Sequence, residues 1–101
     1  MARWERLQSK LTELLETSNI YYQPPESLKM KYPCVRYSKS KPDVKHADDM
    51  KYINKDCYEL TVIANSSDDE MIDKILQLPY SSFDRHYVSN NLHHDVIILY
   101  Y

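Results

Sequence analysis

The chain of 101 residues contains no glycine. Glycine is the residue that adopts positive φ without steric cost, so every tight turn in this protein has to use another side chain. Asparagine tolerates the left-handed region better than most residues, and Asn90-Asn91 stands between two apolar segments. We therefore predict a tight hairpin turn at Asn90-Asn91. The absence of glycine also excludes a phosphate-binding loop of the Walker or Rossmann type.

Length and composition predict one domain, residues 1–101, with a single hydrophobic core. No apolar stretch approaches the ~20 residues that cross a bilayer. Charged side chains at Arg3, Glu5 and Arg6 occupy the place where a signal peptide has its apolar region, so we expect an intracellular protein. Cys34 and Cys57 lie in apolar, strand-like surroundings and are expected to be reduced core residues.

The net charge of −2 hides an asymmetry between the two halves of the chain. Residues 1–45 carry nine Lys or Arg and five Asp or Glu, a net +4; residues 46–101 carry four and ten, a net −6. Two faces of opposite sign would favour head-to-tail packing of identical subunits. The alternative is that folding intermixes the halves, and the sequence leaves both outcomes open.

Apolar spacing predicts two helices. The first runs from near Ala2 to Glu16, with an apolar stripe at three- and four-residue intervals in which Trp4 is expected to pack in the core. The second follows Ser67, whose hydroxyl and Glu70 form a capping box. The stripes of the two helices comprise Trp4, Leu7, Leu11, Leu14 and Leu15, and Met71, Ile72, Ile75 and Leu76.

Five strands are predicted from alternation, β-branched residues and turn signals. Their positions are Ile20–Gln23, Cys34–Ser38, a strand within Lys51–Ala64, Phe83–Ser89 and Leu92–Tyr101. The order of elements predicts an α+β domain, with a mainly antiparallel sheet of about five strands and both helices packed on one face. Apolar residues of the other face, such as Ile63 and alternate residues of the last strand, would then need cover, and a neighbouring subunit is expected to supply it.

Histidines and acids near the end of the chain form the group most similar to a metal or acid–base site. In a hairpin turning at Asn90-Asn91, His86 would lie near His94 or Asp95 of the opposite strand. Two His and a carboxylate are suitable ligands for Zn²⁺ or Fe²⁺. However, His93 and His94 are adjacent and point to opposite faces of a strand, so structural hydrogen bonding is the favoured interpretation. An ion pair between strands is the interpretation for Asp84 and Arg85.

Basic residues interleaved with tyrosine make a second candidate surface, typical of nucleic-acid binding. The stretch contains Lys29, Lys31, Arg36, Lys39, Lys41 and Lys45, together with Tyr32 and Tyr37. The negative overall charge argues against strong binding to a phosphate backbone. A solvated loop or a protein docking site is therefore the favoured interpretation.

Several segments of the chain resemble the tail-completion, or tail terminator, proteins of long-tailed phages and prophages. They are Asn19–Pro25, Lys29–Tyr37, Tyr58–Ile63, Leu78-Pro79 with Phe83–Tyr87, and Asn91–Asp95. The resemblance implies a structural protein, not an enzyme, that needs no metal or cofactor. Such proteins are made in the bacterial cytoplasm and become part of the virion neck. They cap the tail tube as a six-fold homo-oligomeric ring, end tail polymerisation and join the tail to the head connector.

The resemblance also implies partners: further copies of the chain, the tail tube protein and the head connector or stopper protein. No membrane or specific nucleic acid is among them, although DNA would pass through the ring. The long polar segment Ser38–Lys51 is expected to be a docking arm, because long loops in compact domains are commonly functional. We expect the interface residues to be Lys39, Lys41, Lys45, His46, Asp48, Asp49, Arg85 and His86. The alternative is a small metal-dependent or nucleic-acid-binding protein that uses the terminal histidines.

Overall fold

A computed structural model describes residues 2–25, 27–29, 31–40, 55–66 and 69–101. Within these ranges the chain forms two helices and five strands. In chain order they are α1 (Arg3–Leu15), β1 (Ile20–Tyr22), β2 (Cys34–Ser40), β3 (Cys57–Ala64), α2 (Asp69–Leu76), β4 (Ser81–Ser89) and β5 (Leu92–Tyr100). The number, type and order of elements agree with the sequence-based prediction. The predicted capping box at Ser67 lies outside the described residues.

The five strands form one mixed sheet in the order β1-β2-β3-β5-β4. β1 pairs parallel with β2, and the other three pairs are antiparallel. The predicted α+β fold with a mainly antiparallel sheet is therefore confirmed. In this order β1 and β4 are the two edge strands of the sheet.

Helix α1 begins at Arg3, where Glu5 Oε1 accepts a hydrogen bond of 3.1 Å from the Ala2 backbone N–H. Its apolar stripe is buried at Leu7, Leu11 and Leu15, a spacing of four residues that keeps the side chains on one helical face. The expectation that Trp4 packs in the core is wrong, since its side chain is 38% exposed. The indole ring instead lies against the edge strand β1, beyond which no described strand covers its outer side.

One cluster of buried apolar side chains joins both helices to alternate residues of the strands. The register explains this alternation, because Val35 lies opposite Val62 and Leu60 lies opposite both Tyr37 and Ile97. The cluster contains Leu7, Leu11, Leu15, Ile20, Val35, Tyr37, Tyr58, Leu60, Val62, Ile72, Ile75, Ile97 and Leu99. Leu14, predicted for this core, packs against it while partly buried. The placement of both helices on one sheet face stays a prediction.

Residues of the opposite strand parity are also buried within the single chain. They include Cys34, Cys57, Thr61, Ile63, Val96 and Tyr100. Part of this cover comes from Arg85, which reaches from β4 across β5 to Glu59 on β3 and so passes over the strand between them. The expectation that a neighbouring subunit is needed to bury Ile63 and alternate residues of the last strand is therefore wrong.

Five residues of the described chain adopt positive φ, and none of them is glycine because the sequence contains none. Asn90 and Asn91 have φ of 52° and 63° and connect β4 to β5, which confirms the predicted tight turn. Both values suit the type I′ turn of a two-residue hairpin. Glu16, Gln23 and Tyr80 were not anticipated, and all three follow directly on, or directly precede, a helix or strand. Without glycine, the element ends themselves take up the left-handed conformation.

Both cysteines are free and buried, on different strands, as predicted. Burial raises the pKa of the Cys34 thiol to about 11, with Arg36 acting weakly in the opposite direction. The pKa of Cys57 is also raised by burial, against a hydrogen bond with Tyr100. Because the thiolate is the reactive form of cysteine, burial and the raised pKa values favour a structural role for both thiols over a nucleophilic one.

Candidate functional site

The eight predicted interface residues fall into two groups. Lys41, Lys45, His46, Asp48 and Asp49 lie outside the described residues, as does most of the proposed arm Ser38–Lys51. Lys39, Arg85 and His86 are described and do not form one site. Lys39 is on β2 and the other two are on β4, with β3 and β5 between them. Arg85 and His86 are adjacent in a strand and therefore point to opposite faces.

Lys39 takes part in a small charge cluster at the ends of the strands. Its Nζ lies 3.7 Å from Asp56 Oδ2, while Nη1 of Arg3 lies 3.3 Å from Asp56 Oδ1. One carboxylate from the second half of the chain thus pairs with two cations from the first half. Folding intermixes the charge of the two halves at this point, but exposed pairs of this kind contribute little to stability.

Arg85 pairs with its neighbour Asp84 and also reaches Glu59 at 3.5 Å. The prediction of an ion pair between strands is confirmed for Arg85, whose partner on another strand is Glu59 rather than Asp84. The register shift between Phe83 and Arg85 marks a β-bulge at Asp84. The bulge lets Phe83 and His86 share one face of β4 while Arg85 points to the other.

The terminal histidines form a chain of ring contacts on the β4–β5 hairpin. Nδ1 of His86 lies 2.6 Å from Oδ1 of the buried Asp95, directly opposite in the register, so the ring N–H donates to the carboxylate. Nε2 of His86 lies 3.5 Å from Nδ1 of His93. His94 points to the other face and stacks on Tyr87 at 4.6 Å. Of the two neighbours predicted for His86, Asp95 is correct and His94 is wrong.

This histidine arrangement is consistent with hydrogen bonding between strands. Asp95 is a buried acidic side chain, and a buried carboxylate has to be paired or hydrogen-bonded to be tolerated. His86 satisfies that requirement. Across the part of the chain that the structure describes, no three His, Cys, Asp or Glu side chains come together in an arrangement that could hold a metal ion.

The basic stretch differs from a nucleic-acid surface in one essential residue. Tyr37 is only 1% exposed and belongs to the core, so its ring is not available to stack on a base. Its hydroxyl lies 2.9 Å from the Trp4 carbonyl and 2.8 Å from Gln8 Oε1, and it donates its one proton to either acceptor. Gln8 Nε2 in turn donates to the Ile20 carbonyl at 2.8 Å. This network ties α1 to β1 and β2, and burial, followed by the nearby Tyr22 and Tyr58, raises the pKa of Tyr37.

An aromatic groove of about 440 Å³ runs along the β1 edge of the sheet. Trp4 and Tyr22 stack in parallel at 4.6 Å within it, and Leu28 is 42% exposed. We call it the β1-edge groove, and its apolar lining includes Trp4, Tyr21, Tyr22, Pro24, Pro25 and Leu28. Sequence reasoning missed this groove because it assigned Trp4 to the core. The available signal was the Pro24-Pro25 pair, which ends β1. Because proline cannot donate a ladder hydrogen bond, prolines next to a strand indicate that the strand lies at the edge of a sheet.

A second apolar surface lies at the opposite edge, on β4. Every residue from Ser82 to Ser89 is exposed, including Phe83 at 48% and Val88 at 58%. In the register Phe83 lies opposite Ile97, and Val88 lies opposite His93, which places both on the same face of the sheet as Asp95. We call this pair the β4 ridge. Large apolar side chains that stay exposed together commonly mark an interaction site.

A further concavity of about 420 Å³ lies where the end of β5 meets the turn after α2. Leu78, Pro79 and Leu99 contribute apolar surface, and Lys10 and Lys55 supply two cations. Nζ of Lys55 lies 5.0 Å from the centre of the Tyr80 ring, within cation–π range. These contacts account for the Lys55 ammonium without an external ligand.

None of the described helices is long and apolar enough to cross a membrane. No protein-family model matches the chain, and a search of curated proteins found no significant match. The candidate functional surfaces therefore rest on the geometry of the chain itself: the β1-edge groove and the β4 ridge at the two ends of one sheet.

Proposed function

We propose that this chain is a structural phage protein that caps the tail tube. In this proposal copies of the chain form a ring, six-fold as in the family it resembles. The ring terminates tail polymerisation and joins the tail to the head connector or stopper protein. The protein is made in the bacterial cytoplasm and functions in the neck of the virion, and DNA passes through the ring.

The observation that carries the proposal is the resemblance of several strand and turn segments to tail terminator proteins. Among those segments are Asn19–Pro25, which contains β1 and the following Pro-Pro break, and Tyr58–Ile63, which lies within β3. The small α+β fold is compatible with such a role. Exposed apolar surface at both ends of the sheet supports assembly rather than catalysis, since an assembly protein needs two contact surfaces for its neighbours.

Genetic complementation tests the proposal directly. A phage that lacks the gene should produce tails of abnormal length or tails without heads, and a plasmid copy of the gene should restore normal particles in electron micrographs. Particles with normal tails in the absence of the gene would refute a terminator function. Genes for the tube and tape-measure proteins next to this one would provide independent support.

The docking arm has its own experiment. Removing the nine residues Lys41–Asp49 should leave a folded protein that no longer ends tails correctly. The matched control carries the same nine residues in scrambled order, which keeps length and charge. Circular dichroism of both variants establishes that they fold. Tails of normal length attached to heads, with the deleted protein, would exclude the docking role.

The alternative function, a small metal-dependent or nucleic-acid-binding protein, makes a different prediction. Stoichiometric zinc or iron should then remain with the purified protein in elemental analysis, and His86→Gln should release it. Such a metal would have to draw on residues beyond the described ranges, because no three suitable ligands meet within them. Nucleic-acid binding would appear instead as a salt-dependent shift of labelled DNA or RNA.

A further inference from the structure

The order of strands in the sheet separates in space two segments of opposite net charge. Residues 20–40, which contain β1 and β2, carry four basic and one acidic residue, a net +3. Residues 69–101, which contain α2, β4 and β5, carry five acidic and two basic residues, a net −3. The first segment lies at one edge of the sheet and the second at the other, and α2 contacts β4. The side of the sheet with β1 and β2 therefore carries net positive charge and the side with α2, β5 and β4 net negative charge, although Lys39 pairs with Asp56, Arg85 pairs with Asp84, and Asp95 is buried.

The two edges also differ in shape. The basic edge has the β1-edge groove, a shallow and open depression built on the stacked rings of Trp4 and Tyr22. The acidic edge has the β4 ridge, where Phe83 and Val88 project from a single extended strand. The large exposed apolar residues of the described chain lie at or next to these edges: Trp4, Leu28, Tyr32, Tyr80, Phe83, Tyr87 and Val88. The groove and the ridge differ in shape, and the parts of the sheet that carry them differ in net charge, so each is complementary to the other and not to itself.

Addition of a strand from another molecule is disfavoured at both edges. At β1, only three residues are in strand conformation and Pro24-Pro25 lack the N–H groups that a ladder requires. At β4, the bulge at Asp84 and the charged pair of Asp84 and Arg85 interrupt the strand. Bulges and charges are the devices by which proteins prevent edge-to-edge pairing. Contact through side chains is therefore favoured at these edges.

We propose that the β4 ridge of one copy of this chain docks into the β1-edge groove of the next. Phe83 and Val88 pack against the rings of Trp4 and Tyr22 and against Leu28, while the basic and acidic edges attract each other. The contact is heterologous, since the two surfaces differ, and repeated contacts of this kind close into a ring or extend into a filament. The inference deepens the proposed function by naming the interface between subunits of the ring.

The experiment uses the purified full-length chain and two variants that damage one edge each. Val88→Glu disables the ridge and Leu28→Glu disables the groove, and Ser9→Glu on the exposed side of α1 is the matched control. Native mass spectrometry and sedimentation velocity measure assembly. We expect oligomers from the wild type and the control, and association at least about tenfold weaker for each edge variant, as for a residue central to an interface. High salt should weaken wild-type assembly, because the charge attraction is screened.

An equimolar mixture of the two edge variants gives the decisive measurement. Each variant retains the surface that the other has lost, so a heterologous contact predicts one-to-one dimers that grow no further. Wild-type protein that stays monomeric, a mixture that stays monomeric, or a groove variant that assembles like the wild type would each overturn the proposal. Circular dichroism establishes that both variants are folded.

The same variants separate this inference from the proposed function. If edge-dependent oligomers form but the gene has no effect on phage tails, the interface stands and the terminator function fails. If tails depend on the gene but both edge variants complement normally and assemble like the wild type, the terminator function stands and this interface fails.

Discussion

The strands β5 and β4 belong to one hairpin, yet their environments are opposite. In β5 the residues from Asp95 to Ile97 are buried, whereas β4 is exposed from Ser82 to its end. β5 is richer in apolar and aromatic residues, with six of its nine against three of nine in β4, so composition explains part of the difference. Position in the sheet explains the rest, because β5 has a neighbour on each side and β4 has only one. Apolar residues in the interior therefore contribute to stability, and those at the edges are available for association.

The largest difference in unfolding free energy between an interior and an edge substitution is expected for leucine. Leu11 is fully buried in the α1 stripe, and Leu11→Ala should lower the free energy of unfolding by about 2–5 kcal/mol through lost burial and a residual cavity. Leu28→Ala, in the exposed groove, should change it by about 0.5 kcal/mol or less. Urea melts at low protein concentration provide both values. A near-zero effect for Leu11 would contradict the place of α1 in the core.

Valine gives the same comparison within the hairpin. Val96 is fully buried and Val88 is 58% exposed. Val96→Ala should cost about 2–3 kcal/mol, since two methyl groups leave a tightly packed site. Val88→Ala should be within about 0.5 kcal/mol of the wild type. Equal effects at the two positions would show that β4 is covered in the isolated chain and would remove the basis for the β4 ridge.

Removal of one hydroxyl measures how much the hydrogen bonds between α1 and β2, next to the β1-edge groove, contribute to stability. Tyr37→Phe removes the hydroxyl that bridges Trp4 and Gln8 and leaves their acceptors without this donor. The expected loss of stability is about 1–3 kcal/mol, the cost of leaving a buried polar group unsatisfied. The matched control is Tyr32→Phe, at an exposed position, with little effect expected. Tryptophan fluorescence should also shift, because Trp4 is the only tryptophan.

Alkaline pH should weaken the interior gradually. Burial raises the pKa of Cys34 from 9.0 to about 11. Burial is also the largest of the causes that raise the pKa of Tyr58 from 10.0 to about 12. Both groups are neutral when protonated, so the folded state holds these protons more tightly than the unfolded chain. Their stabilisation is complete below about pH 9 and is lost as the pH rises towards 12.

Urea melts at several pH values check this effect. Midpoints should fall progressively between about pH 9 and about pH 12, and the decline should be shallower in the Cys34→Val variant. At neutral pH, both thiols of the folded protein should react slowly with a thiol reagent and rapidly once urea unfolds the chain. Rapid reaction of Cys34 in the folded state would contradict its burial.

Local sequence signals were sufficient for the elements and for much of the core. Spacing of three and four residues located α1 and α2, alternation located the strands, and the lack of glycine pointed to Asn90-Asn91 as the turn. These signals succeed because helix and strand periodicity depend on neighbours in the chain. Trp4 shows where they fail, since an apolar residue at a helical interval is buried only if another element covers it.

Local patterns in the amino-acid sequence were enough to locate the helices, the strands and the hairpin turn, and the composition of the two halves showed their opposite net charge. The burial of Tyr37, the choice of Asp95 as the partner of His86, and the edge positions of β1 and β4 became visible in the folded chain. The physical reason is that exposure depends on which elements pack together across long distances in sequence. A chain can therefore specify a strand such as β4 locally, while the exposure of its apolar residues Phe83 and Val88 is set by the place of the strand in the sheet.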